Sequence, residues 1–259
     1  MIQAVFLDVD GTLLSFQTHK VSAGTLQALE TLRQQGVRLF VSTGRHYAML
    51  GSLHGLFTFD GYVTLSGQYC TADGRVIHRS PMSPQAVEEL VDAVEAHGFS
   101  TIFLEGEDIY INRVDDGAEQ FVRELSVPMP PMRQPSYARG RELYQAVTFL
   151  PREREGELLD CAPHLRATRW HPCFLDVIPP EGGKDKGIQA VLDYYGIPWE
   201  NTMAIGDGEN DISMIARAGI GVAMGSASRE VCQAADYVTG TVDEDGVVEA
   251  FRHFHLISE

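Results

Sequence analysis

Ile2-Gln3-Ala4-Val5-Phe6-Leu7-Asp8-Val9-Asp10-Gly11-Thr12 is the stretch from which the rest of the chain can be read. Six residues, mostly apolar, end abruptly at acids, as a buried strand does where it leaves a sheet. On an extended chain, side chains alternate, so Asp8 and Asp10 face one side and Val9 the other. Gly11 permits a tight turn and close backbone approach to an anion. Two adjacent carboxylates need a cation to be tolerated together, and Mg²⁺ accepts carboxylates, carbonyls and waters. In open α/β sheets, ligands bind outside the carboxyl ends of the strands, which is where these acids stand.

Reading outward, Ser22 caps a helix to about Gln35, with Leu26, Leu29 and Leu32 on one face and Gly36 as its stop. Val37–Ser42 is a second buried strand, ending at Thr43-Gly44-Arg45. A helix-like stretch follows, then a third strand over Gly61–Leu65. This β-α-β-α-β order predicts a parallel sheet with helices on its faces. The pattern then changes. Arg75–Arg79 reads as a hairpin strand after Asp73-Gly74, and Ser83-Pro84 opens a helix ending at Gly98. Short strand-like pieces recur to Ile178, so residues 81–180 are expected to form a separate α+β insertion between core segments 1–80 and 181–259. Within it, Trp170, His171 and Cys173 are expected in the insertion's core, and Glu105-Gly106-Glu107-Asp108 as a solvated hairpin turn. The alternating pattern resumes after Gly183. Asp185–Tyr195 reads as a helix, Thr202–Ile205 as a strand, and a helix runs from there to about Ala218.

Three further segments join the first acids. Thr43-Gly44-Arg45 alone reads as a strand-to-helix turn capped by Thr43; beside Asp8 it offers a hydroxyl and a backbone N–H to a phosphate oxygen. Lys184-Asp185-Lys186-Gly187 brings a cation able to neutralise a nucleophile and a phosphate. Gly206-Asp207-Gly208-Glu209-Asn210-Asp211 follows another strand. Asp207 is the natural additional metal ligand there, with Asn210 and Asp211 able to hold waters or the lysine. All four segments fall at predicted carboxyl ends of parallel strands or in the loops just beyond.

In that order, the set resembles the haloacid-dehalogenase superfamily, and the insertion resembles the type IIB cap of its Cof-like phosphatases. The resemblance covers essentially the whole chain. It implies a Rossmann-like doubly wound core and an Mg²⁺-dependent phosphatase acting on a small phosphorylated metabolite. By it, Asp8 is the nucleophile and Asp10 the general acid and base. Asp8, the Asp10 carbonyl and Asp207 would hold the metal. Gly11, Thr43, Gly44, Lys186 and Asn210 would hold the phosphate, with Asp211 and Arg45 in support. The cap would close over the pocket and select the leaving group. Lys186 is preferred to Lys184 because the family's lysine directly precedes glycine. The chain carries Ser66-Gly67 where many relatives have Asn-Gly. A phosphomutase or phosphotransferase would share every motif, and a non-catalytic phospho-acceptor module would share several.

Composition bounds the rest. The 259 residues carry a net charge of −16, which repels nucleic-acid backbones and anionic membranes. Four cysteines without a C-x-x-C pair point to reduced thiols and a cytoplasmic setting. The N-terminal run reads as a strand, not a signal peptide. His253 and His255 are spaced like metal ligands but are expected to face solvent from a last helix. The oligomeric state is not legible.

Overall fold

The computed structural model describes residues 1–51 and 53–258, and of Trp170 only the backbone. Two compact units are present, one formed by Met1–His78 with Lys184–Glu259, the other by Arg79–Gly183.

The first unit is built around β1 (Ala4–Leu7), α1 (Ala23–Gln34), β2 (Arg38–Ser42), β3 (Gly61–Thr64), β4 (Tyr69–Ala72) and β5 (Arg75–Arg79). The second holds α2 (Pro84–His97), β6 (Ser100–Glu105), β7 (Ile109–Ile111), α3 (Asp116–Glu124), β8 (Leu143–Phe149), α4 (Glu155–Leu159), β9 (Arg166–His171) and β10 (Phe174–Ile178). The chain then returns to the first unit with α5 (Lys184–Tyr195), β11 (Thr202–Gly206), α6 (Ile212–Ile215), β12 (Ile220–Ala223), α7 (Arg229–Ala234), β13 (Tyr237–Val238) and α8 (Gly246–His253).

The eight strands of the first unit lie in the order β13-β12-β11-β1-β2-β3-β4-β5. From β13 to β3 all neighbours are parallel, and β4 then runs antiparallel to β3. The expected parallel core is present, and an antiparallel hairpin, β4 and β5, extends it past β3. The reversal comes from Leu65, Ser66 and Gly67, all with positive φ, which turn the chain straight back.

β1 sits at the centre, so both its faces are covered. Val5 and Leu7 pack with Leu29 and Leu32 of α1 and with Val247 and Phe251 of α8. Ala4 and Phe6 pack on the other side with Ile188, Val191 and Leu192 of α5. The Phe6 and Phe40 rings stack there, 4.9 Å between centroids. Fully burying one such side chain stabilises by about 1.5–3 kcal/mol, so this layer holds the strand ends firmly in register. Ser22 caps α1 by accepting the Thr25 N–H at 2.9 Å. The helix expected after Thr43 forms only as a single 3₁₀ turn, Tyr47–Met49. Gly51 follows at once and Gly55 takes φ +80°, and glycine interrupts helices. Similarly, the helix expected to reach Ala218 closes at Ile215.

In the second unit, the strands form an antiparallel sheet of order β7-β6-β8-β10-β9. Val87, Leu90, Val91 and Val94 of α2 pack on Phe103, Ala146, Leu175 and Val177. Glu105 departs from expectation: it is buried, and Arg141 donates to both its carboxylate oxygens, at 2.5 and 2.7 Å. His171 pairs with Glu124 at 3.1 Å and stacks on Phe174. The Trp170 side chain lies outside the described residues.

Candidate active site

Register brings the acids together. Leu7 lies beside Val41 of β2 and Ile205 of β11, so the next residues along each chain meet at the carboxyl end of the central strands. Those residues are Asp8, Ser42-Thr43 and Gly206-Asp207. The Asp8 N–H donates to the Ile205 carbonyl at 3.0 Å, carrying the pairing one residue past the strand. Since Ala4 and Phe6 face α5, Asp8 faces it too, while Val9 turns into the α1/α8 layer.

Lys184, the first residue of α5, is wholly buried. Its Nζ donates to Asp8 Oδ1 at 2.6 Å, to Asp211 Oδ1 at 2.5 Å and to the Ser42 carbonyl at 3.0 Å. These three acceptors use all three ammonium protons. Burial pulls the lysine's pKa down, but Asp211 and Asp8 together outweigh it and hold the group well above its ordinary value. Lys186 does not reach the site. Its side chain is 56% exposed and pairs with Asp185 at 3.5 Å. The expectation for Lys186 is thus corrected to Lys184, and the reason is helical phase. Lys184, Gly187, Ile188, Val191 and Leu192 are the buried positions of α5, spaced three and four apart, and Lys186 falls off that face. The same periodicity was available in the sequence.

Asp10 meets Arg45, which is only 5% exposed. Arg45 Nε donates to Asp10 Oδ2 at 2.8 Å and Nη2 to Oδ1 at 2.5 Å, a two-bond fork that matches a charged carboxylate. Arg45 Nη1 donates to the Met49 carbonyl, which anchors the guanidinium from behind. Thr43 is buried, and its Oγ1 accepts the Arg45 N–H at 3.1 Å, leaving the hydroxyl proton to donate elsewhere. Gly44 follows Thr43 in the same loop. The Gly11 N–H, expected to face phosphate, instead donates to the Leu14 carbonyl at 2.9 Å, because the chain after Asp10 closes on itself. Gly11 is required for another reason. It sits at φ +79°, and a Cβ there would stand 2.1 Å from Asp207 Oδ2.

Asp211 organises the β11 loop. Its Oδ2 accepts from the N–H groups of Asp207 and Gly208 at 3.1 and 2.9 Å, while Oδ1 takes Lys184. Asn210 is half-buried in the same loop. Carboxylate oxygens of Asp8, Asp207 and Asp211 all lie within 4.8 Å of one another. Asp211 has both oxygens engaged, so Asp8 Oδ2 and the Asp207 carboxylate are the ones left without a hydrogen bond from any described residue. Burial pushes the Asp8 carboxyl up to about 7, with the charges of Asp211 and Asp10 adding to it against Lys184. Burial and then the Asp8 charge push Asp207 to about 9. One lysine cannot neutralise so many acids, and hard oxygen donors at this spacing fit a hard divalent cation. Sequence reasoning passed over Ser42, which belongs here through its carbonyl, and quoted Thr12 in the first motif without giving it a role. The Oγ atoms of both are buried without a partner among the described residues.

The whole arrangement has close counterparts. The family model described as haloacid dehalogenase-like hydrolase matches residues 5–251. Among solved structures, the chain is similar to the HAD subclass IIB sugar phosphatase BT4131, with 38% identity, 98% and 100% of the two chains covered and a TM-score of 0.93. It is likewise similar to BT1666, a phosphatase of Bacteroides thetaiotaomicron, with 36% identity, 99% and 96% coverage and a TM-score of 0.90. Among curated proteins, it is 29% identical to the putative phosphatase YkrA of Bacillus subtilis over 98% of both chains. It is 27% identical, over 96% of both, to the 5-amino-6-(5-phospho-D-ribitylamino)uracil phosphatase YitU of the same organism. With its acids, lysine and threonine gathered at the carboxyl end of the central strands and residues 5–251 matched, the chain belongs to the haloacid dehalogenase-like hydrolases and is a phosphatase.

Proposed function

We propose that the protein hydrolyses small phosphomonoesters, sugar or polyol phosphates in the first place, through a phosphorylated Asp8 and with Mg²⁺ as cofactor. The observation that carries this reading is the state of Asp8. One oxygen is locked by a buried lysine while the other is left without a hydrogen bond from any described residue, as an attacking carboxylate requires. Asp8 Oδ2 forms the bond to phosphorus as the ester P–O bond breaks. Asp10 gives the departing alkoxide its proton, then takes one from the water that cleaves the aspartyl-phosphate, which frees inorganic phosphate and restores Asp8. For the first half, one bond of the Arg45 fork must yield so that Asp10 can carry that proton. The Thr43 hydroxyl would donate to a phosphoryl oxygen, while Lys184, its three protons already taken, would act through its charge on Asp8 and the incoming phosphoryl group. Asp8, Asp207 and the Asp10 carbonyl would hold Mg²⁺, which supplies charge neutralisation at the phosphoryl group when bound.

The substrate class rests on the relatives. BT4131 is a sugar phosphatase, and the YitU substrate carries its phosphate on a ribityl chain. Both are phosphomonoesters of polyhydroxylated carbon chains. The test is inorganic phosphate release from a panel of hexose, pentose and polyol phosphates, with Mg²⁺ and with chelator. Release that requires Mg²⁺ and leaves a trappable phospho-Asp8 supports the reading. Release that chelation leaves untouched, or transfer to sugar faster than to water, goes against it.

A further inference from the structure

The second unit carries a nucleophile, a base and an orienting acid that the phosphatase chemistry does not use. Cys161, just after α4, is exposed, and its Sγ lies 3.6 Å from Nε2 of His97, the last residue of α2. The other ring nitrogen of His97, Nδ1, faces Glu157 Oε2 at 3.7 Å. Glu157 is itself fixed. Arg154 Nε donates to its Oε1 at 3.0 Å and Nη2 to its Oε2 at 2.8 Å, and these bonds hold the carboxyl below the usual carboxylate range. The imidazole lies flat on Phe99, 5.2 Å between centroids at 12°, and the Arg154 guanidinium also stacks on that ring. An anion at Nδ1 keeps the proton on that nitrogen and leaves Nε2 as the acceptor facing the thiol. A thiol within reach of a base that a third group orients is the arrangement of an activated nucleophile. Leu158 and Ala162, both buried, pin the backbone on either side.

We propose that Cys161 is a reactive thiol that forms mixed disulfides with small disulfides, with His97 as its proton acceptor and Glu157 as the positioning residue. In the step, the thiol proton moves to His97 Nε2 and the sulfur attacks one sulfur of the disulfide. The new S–S bond forms as the old one breaks, and the departing thiolate takes the proton back from His97. The disulfide is the oxidant. Asp160, adjacent to Cys161 in the chain, and a molecular charge of −16 disfavour anionic disulfides, so neutral or cationic ones are the matching class. The other thiols lack this setting. Cys70 is buried, and burial pushes its thiol up, while Cys173 and Cys232 are half-buried.

The experiment incubates the intact protein with 2-hydroxyethyl disulfide, a neutral probe, and follows each cysteine by peptide mass spectrometry. Loss of the proton acceptor at Nε2 should slow the reaction of Cys161 by about tenfold. We expect Cys161 to react first, His97→Phe and His97→Gln to slow it alike, Glu157→Gln to fall between, and added imidazole to restore part of the rate. The Phe variant keeps the stacking on Phe99 and the Gln variant keeps a polar side chain, so a folding defect in one leaves the other as the test. Equal rates in wild type and both His97 variants would mean that exposure alone sets reactivity, and the proposal falls. It falls also if Cys173 or Cys232 reacts first.

Discussion

Replacing Lys184 with methionine tests the site most directly. The substitution keeps length and apolar volume but removes a charge that sits wholly inside the protein, 2.6 Å from Asp8 and 2.5 Å from Asp211. Asp211 then keeps its two backbone donors, while Asp8 loses the one side-chain donor it has among the described residues. Breaking a buried ion pair from one side costs about 3–5 kcal/mol, because the remaining charge stays desolvated. Part of that is recovered when Asp8 takes up a proton, since its carboxyl is already pushed up to about 7. We therefore expect a loss of about 3 kcal/mol in urea unfolding at pH 8, smaller at pH 5 where Asp8 is protonated. Phosphate release should fall by about 10²–10³-fold or more, as when a preorganised charge-stabilising donor is deleted. The control is Lys186→Met, two residues along the same helix. That side chain is 56% exposed, so its ion pair with Asp185 should be worth no more than about 1 kcal/mol and its loss should leave turnover nearly unchanged. If Lys186→Met abolishes turnover and Lys184→Met does not, the assignment of the buried lysine is wrong.

Asp8→Asn keeps the shape but removes the nucleophile, so phosphate release should drop to background and no phosphorylated chain should be trapped; near-normal release would end the aspartyl-phosphate reading. Gly11→Ala places a methyl at φ +79° and 2.1 Å from Asp207 Oδ2, which should cost about 1–3 kcal/mol in chemical unfolding and displace Asp207, weakening Mg²⁺ binding measured by titration calorimetry. The raised carboxyls of Asp8 and Asp207 bind protons in the folded chain that the unfolded chain has released above an ordinary value of 3.8. Their contribution is therefore fully present below that value and is lost as pH rises through about 7 for Asp8 and about 9 for Asp207. Chelator-treated protein should show a Tm that falls from pH 5 to 9, and Mg²⁺ should restore more stability at pH 8 than at pH 5. A flat profile, or equal stabilisation at both, would contradict the charge balance described for this site.

Much of the catalytic unit was legible because the information is local. An apolar run ending at Asp8, another ending at Thr43 and a third ending at Asp207 are each short, continuous and closed by a stop, and side-chain alternation alone puts Asp8 and Asp10 on one side. Helix caps at Ser22 and Ser83 were equally plain, and both hydroxyls accept the expected backbone N–H. The lysine was legible too, in the phase of Gly187, Ile188, Val191 and Leu192, but a rule about the residue before glycine pointed elsewhere.

What the sequence by itself determined is the set of strand ends and the chemistry they carry, since both depend on neighbours a few residues apart. Only the tertiary structure decided which side chains meet. Asp10 and Arg45 are 35 residues apart, and Lys184 reaches Asp8 across 176 residues, distances over which no periodicity survives. The antiparallel turn at Leu65 and Ser66 was hidden for a related reason. Residues other than glycine rarely take positive φ on their own, and these two do so where the turn's amides are bound, by the Arg45 carbonyl for Leu65 and by the Thr43 carbonyl for Ser66. The ordering of that loop is set by the packed sheet around it, which a single strand cannot announce.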